Sequence, residues 1–348
     1  MKFLYVHTGS NLPPDIHLIQ GLRESAHEVL ELVEKGYGFG KYIRFARRFS
    51  RAARGVDAVI VGYGLPLLTP LARGLSPKTI VFNAVSSQYE ANIISRGVAG
   101  RWSPSAMKWW FIDFISFLSS TKILLESEGQ VDYVRAHFLA PKKKLVRAWM
   151  GVDESVFFRD ESVQKSKDFT VLFRGRFLPE SGILTVIEAA KKLEDTDVRF
   201  IIIGHGFMYR EVNALMAELE PKNVELIREA LPPAELREKM LSCHVSLGQL
   251  ADHPRLLRTL PAKLYESLAL GLPFLTGRNA GVLELLKEDE TCLAVKPGDA
   301  GDLAGKILYL RNNPEVLRKV SERGYRLYKE RLGSRKLADE FVSTCFGK

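Results

Sequence analysis

An α/β fold of two tandem domains, each a parallel sheet covered by helices, is what three features of this 348-residue sequence predict. Short apolar runs alternate with helix-patterned ones along the whole chain, the signature of such sheets. A charged, non-periodic stretch over residues 153–168 interrupts the alternation, which restarts at Phe169. The length accommodates two domains of about 150 residues each, and 46% hydrophobic residues suffice to fill two cores. That composition excludes a disordered or fibrous chain. The predicted division is a first domain over 1–152, a linker over 153–168 and a second domain from 169 to 330.

In the first half, KFLYVHTG, DAVIVGYG and KTIVFNAV read as buried strands that end in Gly or small polar residues. Helical patterns such as Ile43–Ala53 lie between them, and KILLESE and KLVRAWMGV supply the later strands. The second half opens with the strand FTVLFRGR, followed by a helix over Ile183–Leu193 with apolar residues at 183, 184, 187 and 190. VRFIIIGHG is the next strand, then a helix from Met208. VELIREA, HVSLGQL, PFLTGR and CLAVKPG fit further strands. Helices are expected at Pro233–Leu241, Leu260–Ala269, Val282–Leu286, Asp299–Arg311 and Pro314–Leu332. No repeat of solenoid period occurs. Two Rossmann-like domains follow, with ligands expected at the carboxyl ends of the strands, in the cleft between them.

Charge is distributed unevenly. Residues 1–150 hold 20 Lys and Arg against 11 Asp and Glu, and the remainder is balanced, so the whole net charge of +9 belongs to the first half. Basic clusters stand at Lys41–Arg54 and Lys142–Lys144. Such a surface suits an anionic membrane or a phosphorylated acceptor; a solvated helix face is the plainer reading of each run. Nucleic acid is disfavoured, because no aromatic-basic recognition motif accompanies the charge. WWFIDFISFL, Trp109–Leu118, reads first as a core helix and alternatively as a headgroup-level interface, which periodicity does not separate. No signal-peptide pattern opens the sequence, and no run is long and unbroken enough to span a bilayer. Cys243, Cys292 and Cys345 are odd in number and widely spaced, so three reduced thiols in a cytoplasmic protein are expected.

Three glycine turns follow predicted strands: Gly9-Ser10, Gly175-Arg176 and Gly204-His205-Gly206. Glycine admits a ligand close to the backbone, and a following helix start offers N–H groups to phosphate. None is a GxGxxG or Walker A loop, which weighs against dinucleotide and P-loop readings. His205 has no second histidine at ligand spacing, so no metal site is expected. Leu260–Leu285 is the most informative segment. On its helix Glu266 could accept ribose hydroxyls, though taken alone it reads more plainly as an exposed helix glutamate. The next helix start, at Asn279, Ala280, Gly281 and Val282, can receive a diphosphate, assisted by Lys263 and Arg176.

GRFLPESGILTVIEAAKKL, IIIGHG, LPPAELREKMLSCHVSLGQL, PAKLYESLALGLPFLTG and NAGVLELL, taken together over Phe169 to about Leu310, resemble the donor-binding domain of family-4 glycosyltransferases. Arg147–Phe158, RAWMGVDESVFF, is similar to that family's inter-domain segment. The resemblance implies the GT-B architecture, retaining chemistry, and a C-terminal helix over 331–348 that packs back on the first domain. Glu266 matches the ribose-binding glutamate, the second of a pair eight positions apart. The first of that pair is here Arg258. Arg176 matches the phosphate-binding arginine, while the lysine expected five residues later is Ser181. Lys263, in Pro261-Ala262-Lys263, is inferred to take over that charge. Arg176, Lys263 and Glu266 are thus the expected catalytic set, and Gly9, Gly175 and Gly204 line the donor. Backbone from Arg228 to Leu231 is placed at the nucleobase, and Glu284 behind the phosphate turn. Ser10, Asn83, Ser87, Glu90 and Arg258 are candidates for the sugar or acceptor, and no histidine follows the fourth strand to serve as a base.

The implied activity is transfer of a hexosyl group from a UDP- or GDP-linked sugar to a hydroxyl of a lipid-linked or polysaccharide acceptor. No metal or other cofactor is implied, and a peripheral position on the cytoplasmic face of the membrane is expected. The alternatives are a catalytically silent nucleotide-sugar-binding subunit and a GT-B sugar-nucleotide epimerase.

Overall fold

The computed structural model describes residues 1–9, 12–35 and 40–347. It divides into two units, one formed by Met1–Asp153 together with the stretch from Arg331 onward, the other by Glu154–Glu330.

The first unit begins with β1 (Lys2–His7), α1 (Pro13–Glu24), β2 (Glu28–Val33), α2 (Gly40–Ala52), β3 (Ala58–Val61) and α3 (Leu68–Leu75). It continues with β4 (Thr79–Val85), α4 (Pro104–Ser119), β5 (Lys122–Leu125), α5 (Glu128–Phe138) and β6 (Leu145–Arg147). All six strands are parallel, in the order β2-β1-β3-β4-β5-β6. The Val/Ile runs of β3 and β4 are buried on both faces, as parallel strands require. On one face Phe45 and Phe49 of α2 join Phe82, Phe117 and Val134 in a core. The basic residues of α2 therefore point away from it, and Arg44 and Arg48 clasp the buried Glu34. On the other face α13 (Ser334–Phe346) supplies Ala338, Phe341 and Val342 against Phe3, Tyr5, Leu18 and Leu22. α1 and α13 meet so closely that a Cβ at Gly21 would lie 2.0 Å from the Ser334 carbonyl oxygen.

The second unit comprises β7 (Phe169–Arg174), α6 (Ile183–Lys192), β8 (Val198–Ile203), α7 (Tyr209–Leu219), β9 (Val224–Ile227), α8 (Pro233–Ser242) and β10 (Val245–Leu247). α9 (Ala262–Ala269), β11 (Phe274–Gly277), α10 (Ala280–Leu283), β12 (Leu293–Val295), α11 (Ala300–Asn312) and α12 (Pro314–Leu327) complete it. Its sheet is also parallel throughout, ordered β12-β11-β10-β7-β8-β9. The helix expected at Val282–Leu286 is instead a single turn over Ala280–Leu283, followed by a tightened turn in which the Leu285 N–H donates to the Val282 carbonyl three residues back (3.2 Å). Residues 154–168, expected as a linker, form a packed strap on this unit. Phe157 and Val163 lie against the cluster around Leu172 and Met240, and Lys165 Nζ donates to the carbonyls of Leu241 and Cys243 at 2.8 and 2.6 Å.

Candidate functional site

In the second sheet the strand order reverses between β7 and β10, the place where open α/β sheets leave a crevice at their carboxyl ends. Two glycine turns stand there. Gly175, just after β7, has φ +143°, and a Cβ on it would lie 3.3 Å from Lys263 Cε. Gly204, just after β8, has φ +156°, and its Cβ would fall 1.9 Å from the Gly175 carbonyl oxygen. Only glycine lets these two turns abut.

α9 delivers the charged groups. Lys263 and Glu266 are three residues apart, hence on one helix face, and both are buried. Lys263 Nζ donates to the Gly248 carbonyl at the end of β10 (3.2 Å) and sits 3.8 Å above the Phe173 ring. Burial pushes its pKa down to about 7; the Arg174 cation acts in the same direction and Glu266 opposes it. Glu266 Oε2 forms an ion pair with the Arg174 guanidinium, presented by the last residue of β7. Arg176, two residues after Arg174, is exposed. Arg174 was not singled out in the sequence, since its partner lies 92 residues away; a cation closing a buried strand was the available signal.

The rim is formed by Asn279–Val282. Asn279 is buried and its amide donates to the Gln249 carbonyl at 3.4 Å. A Cβ at Gly281 would lie 2.6 Å from Thr259 N, so this turn rests on the backbone at Arg258 and Thr259. Ala280 is exposed, whereas the Val282 side chain belongs to the core. With one turn of helix, α10 offers free N–H groups rather than an extended dipole. Ser181 is buried, its carbonyl accepting from the Leu250 N–H at 3.2 Å, and the adjacent Glu180 pairs with Arg255 at 2.8 Å. Gln249 Oε1 and Thr259 Oγ1 are buried with no hydrogen-bond partner among the described residues, a mark of a site built for a polar ligand or water. Neither was anticipated from the sequence. Arg228, exposed after β9, donates to Asn213 Oδ1 at 2.9 Å and lies 5.7 Å from the Tyr209 ring centre. Leu231 packs at the edge of the Leu172 cluster, and Glu284 is exposed.

The remaining candidates fall in the first unit. Gly9 has φ +75° and a Cβ there would meet Val33 and Lys35 within 2.7 Å, so its conformation serves a tight turn after β1. Ser10 lies outside the described residues. Asn83, Ser87 and Glu90 are buried and hydrogen-bonded within the first unit. The Asn83 amide donates to the Pro14 carbonyl at 2.6 Å and to Tyr5 Oη and Asp15 Oδ1 at 3.3 Å. Ser87 Oγ accepts from Glu90 N–H, and Glu90 Oε2 accepts from the Gln130 amide, both side chains being wholly buried. Beside them Asp113 accepts from the N–H groups of Gln88 and Tyr89, and burial pushes its carboxyl up to about 7. Among the described residues no group of three or more His, Cys, Asp or Glu could hold a metal ion.

Residues 155–327 match the family model described as glycosyl transferases group 1. An uncharacterized glycosyltransferase of Methanocaldococcus jannaschii is 24% identical over 184 residues, 53% of this chain and 48% of that protein. The N-acetyl-alpha-D-glucosaminyl L-malate synthase of Bacillus anthracis is 21% identical over 215 residues, 58% of this chain and 53% of that one. The chain spans about half the length of the curated relatives it matches. HepE of Anabaena, solved with UDP-glucose, superposes with a TM-score of 0.76 over all of both chains at 13% identity. That likeness is one of fold, and the fold is the two-sheet α/β architecture of GT-B glycosyltransferases.

Proposed function

We propose that this chain is a retaining glycosyltransferase that takes a hexosyl group from a nucleoside diphosphate sugar to a hydroxyl of a lipid-linked or saccharide acceptor. The observation that carries the reading is the convergence of Arg174, Lys263 and Glu266 on the switch point of the second sheet, inside the segment that matches the group 1 family model. Arg174 occupies Glu266 Oε2 and fixes the carboxylate, leaving Oε1 to accept from the ribose hydroxyls. Lys263, poised near neutrality, takes up a proton as a diphosphate arrives and becomes its counter-ion. Arg176 and the free N–H groups of Ala280, Gly281 and Val282 complete an anion cradle that needs no metal. The family resemblance and the UDP-glucose held by HepE support a UDP-linked donor.

In the reaction the C1–O bond to the β-phosphate breaks and its electron pair stays on the phosphate oxygen. Preorganised cations stabilise that charge where it develops. The acceptor hydroxyl oxygen bonds to C1 from the face just vacated, and its proton passes to the departing phosphate. No side chain of this chain is required as base, in keeping with the inward-facing Ser87 and Glu90. Arg258 and Ser181, standing where the resemblance leads to a glutamate and a lysine, and the lack of a histidine after the fourth strand favour one second reading, a donor-binding subunit without turnover. Incubation with radiolabelled UDP-, GDP- and ADP-sugars tests both. Slow donor hydrolysis or transfer is expected; tight binding without turnover selects the second reading, and no binding of any nucleotide sugar defeats both.

A further inference from the structure

We infer that the first unit docks on an anionic phospholipid bilayer through the outward ridge of α4. This helix has two faces. Ala106, Asp113, Ser116 and Phe117 are buried, whereas Met107, Trp110, Phe111 and Leu118 are exposed. The four exposed residues fall at i, i+3, i+4 and i+11, a single stripe along the helix. Trp102, just before the helix, is 96% exposed. α5 extends the ridge: the Trp110 indole donates to the His137 carbonyl at 3.1 Å and stacks on Phe138, and the next residue, Leu139, is 81% exposed. Buried and exposed apolar faces thus coexist on the segment whose periodicity could not choose between core and interface.

Cations flank the ridge at both ends. Lys108 Nζ lies 5.7 Å from the Trp109 ring centre. At the other end Lys144 Nζ donates to the Leu118 carbonyl (2.8 Å) and Lys122 Nζ to the Lys143 carbonyl (3.0 Å). Arg73 holds the Ser119 carbonyl and Thr121, so Arg73, Lys122, Lys143, Lys144 and Leu118 line one open groove. Among the described residues none of these four cations has a carboxylate partner. Burial, Arg73 and Lys143 all push the Lys144 pKa down, a crowding that an arriving phosphate relieves. Tryptophan with lysine at the same level, beside protruding aliphatic and aromatic side chains, is the composition of a membrane-surface element. The occupant is a bilayer rather than another protein surface because the entire net charge of +9 lies in the first 150 residues, complementary to lipid phosphate over a broad area. The inference is independent of the donor site in the second unit.

The test is sedimentation of the full chain with sucrose-loaded vesicles of phosphatidylcholine alone or mixed equally with phosphatidylglycerol. Binding to the mixed vesicles only is expected. Trp102→Gln/Phe111→Gln/Leu118→Gln should weaken it by about tenfold or more, because apolar insertion is lost, with far-ultraviolet circular dichroism and the thermal melt unchanged. Should that triple variant misfold, Leu118→Gln alone serves: the native tryptophans should be quenched by brominated lipid, and the variant should sediment less with the mixed vesicles. Absence of binding at low salt overturns the proposal. So does binding abolished by Lys143→Glu yet indifferent to the apolar variants, which is adsorption by charge alone. A chain that ignores vesicles but passes from dimer to monomer in the triple variant overturns it in favour of a second copy as occupant.

Discussion

Lys263→Met separates stability from ligand binding at the switch point. The native ammonium has been taken from an ordinary pKa of 10.5 to about 7 inside the second unit. At 1.36 kcal/mol per pKa unit, that displacement corresponds to about 5 kcal/mol carried by the folded state at neutral pH. Methionine has similar bulk and no charge to desolvate. The substitution also forfeits the hydrogen bond to the Gly248 carbonyl, worth about 1 kcal/mol or somewhat more, and leaves that carbonyl without its donor; the attraction to Glu266 is already contained in the displaced pKa. A net stabilisation of about 2–4 kcal/mol remains. Because the folded protein binds this proton more weakly than the unfolded chain, the native penalty is greatest at and below pH 7 and fades as pH rises toward 10.5. Urea denaturation of native and variant chains at pH 7 and pH 9.5 should therefore show the variant more stable, with a smaller gap at the higher pH. UDP titration of the same samples should show affinity reduced by about tenfold or more, since a charge-assisted contact is lost. A destabilised variant, a gap that does not change with pH, or unaltered UDP affinity would refute the reasoning.

Other substitutions probe the remaining parts. Glu266→Ala should weaken nucleoside diphosphate binding by roughly 1–3 kcal/mol, measured by calorimetry, and Glu266→Gln by less. Gly204→Ala drives a methyl into the Gly175 carbonyl and should cost about 2 kcal/mol or more of stability together with UDP binding. Gly21→Ala forces α13 away from α1 at a comparable cost, seen in thermal melts, but should leave UDP affinity unchanged. In native protein, UDP affinity should fall as pH rises above 7, because the binding-competent Lys263 cation is depleted; calorimetry in buffers of different ionisation enthalpy should register proton uptake.

Buried parallel strands were the most legible elements. DAVIVGYG and VRFIIIGHG carry apolar runs on both faces, which only a covered sheet accommodates. β2 escaped notice because it is an edge strand, with Glu28 and Glu31 exposed, and EVLELV also fits a helical period. Lys263 and Glu266 were readable because local sequence alone fixes their spacing on α9. The grip of Arg174 on Glu266 was not, since strand order in the sheet decides it. The hydrogen bonds of Asn83, Ser87 and Glu90 were illegible for a similar reason. A polar residue after a strand reads alike whether it meets a ligand or, as here, satisfies Tyr5, Asp15 and Gln130 within the core. Likewise the residues 153–168 have no periodicity because they pack as an irregular strap, held by Phe157, Val163 and Lys165.

A crystal structure of the chain with UDP addresses the nucleotide site itself. The diphosphate should lie within hydrogen-bond distance of Lys263 Nζ and the Arg176 guanidinium, with the ribose hydroxyls on the Glu266 carboxylate still held by Arg174. UDP bound elsewhere on the chain, or seated at the strand switch with its phosphates out of reach of Lys263, would contradict the account.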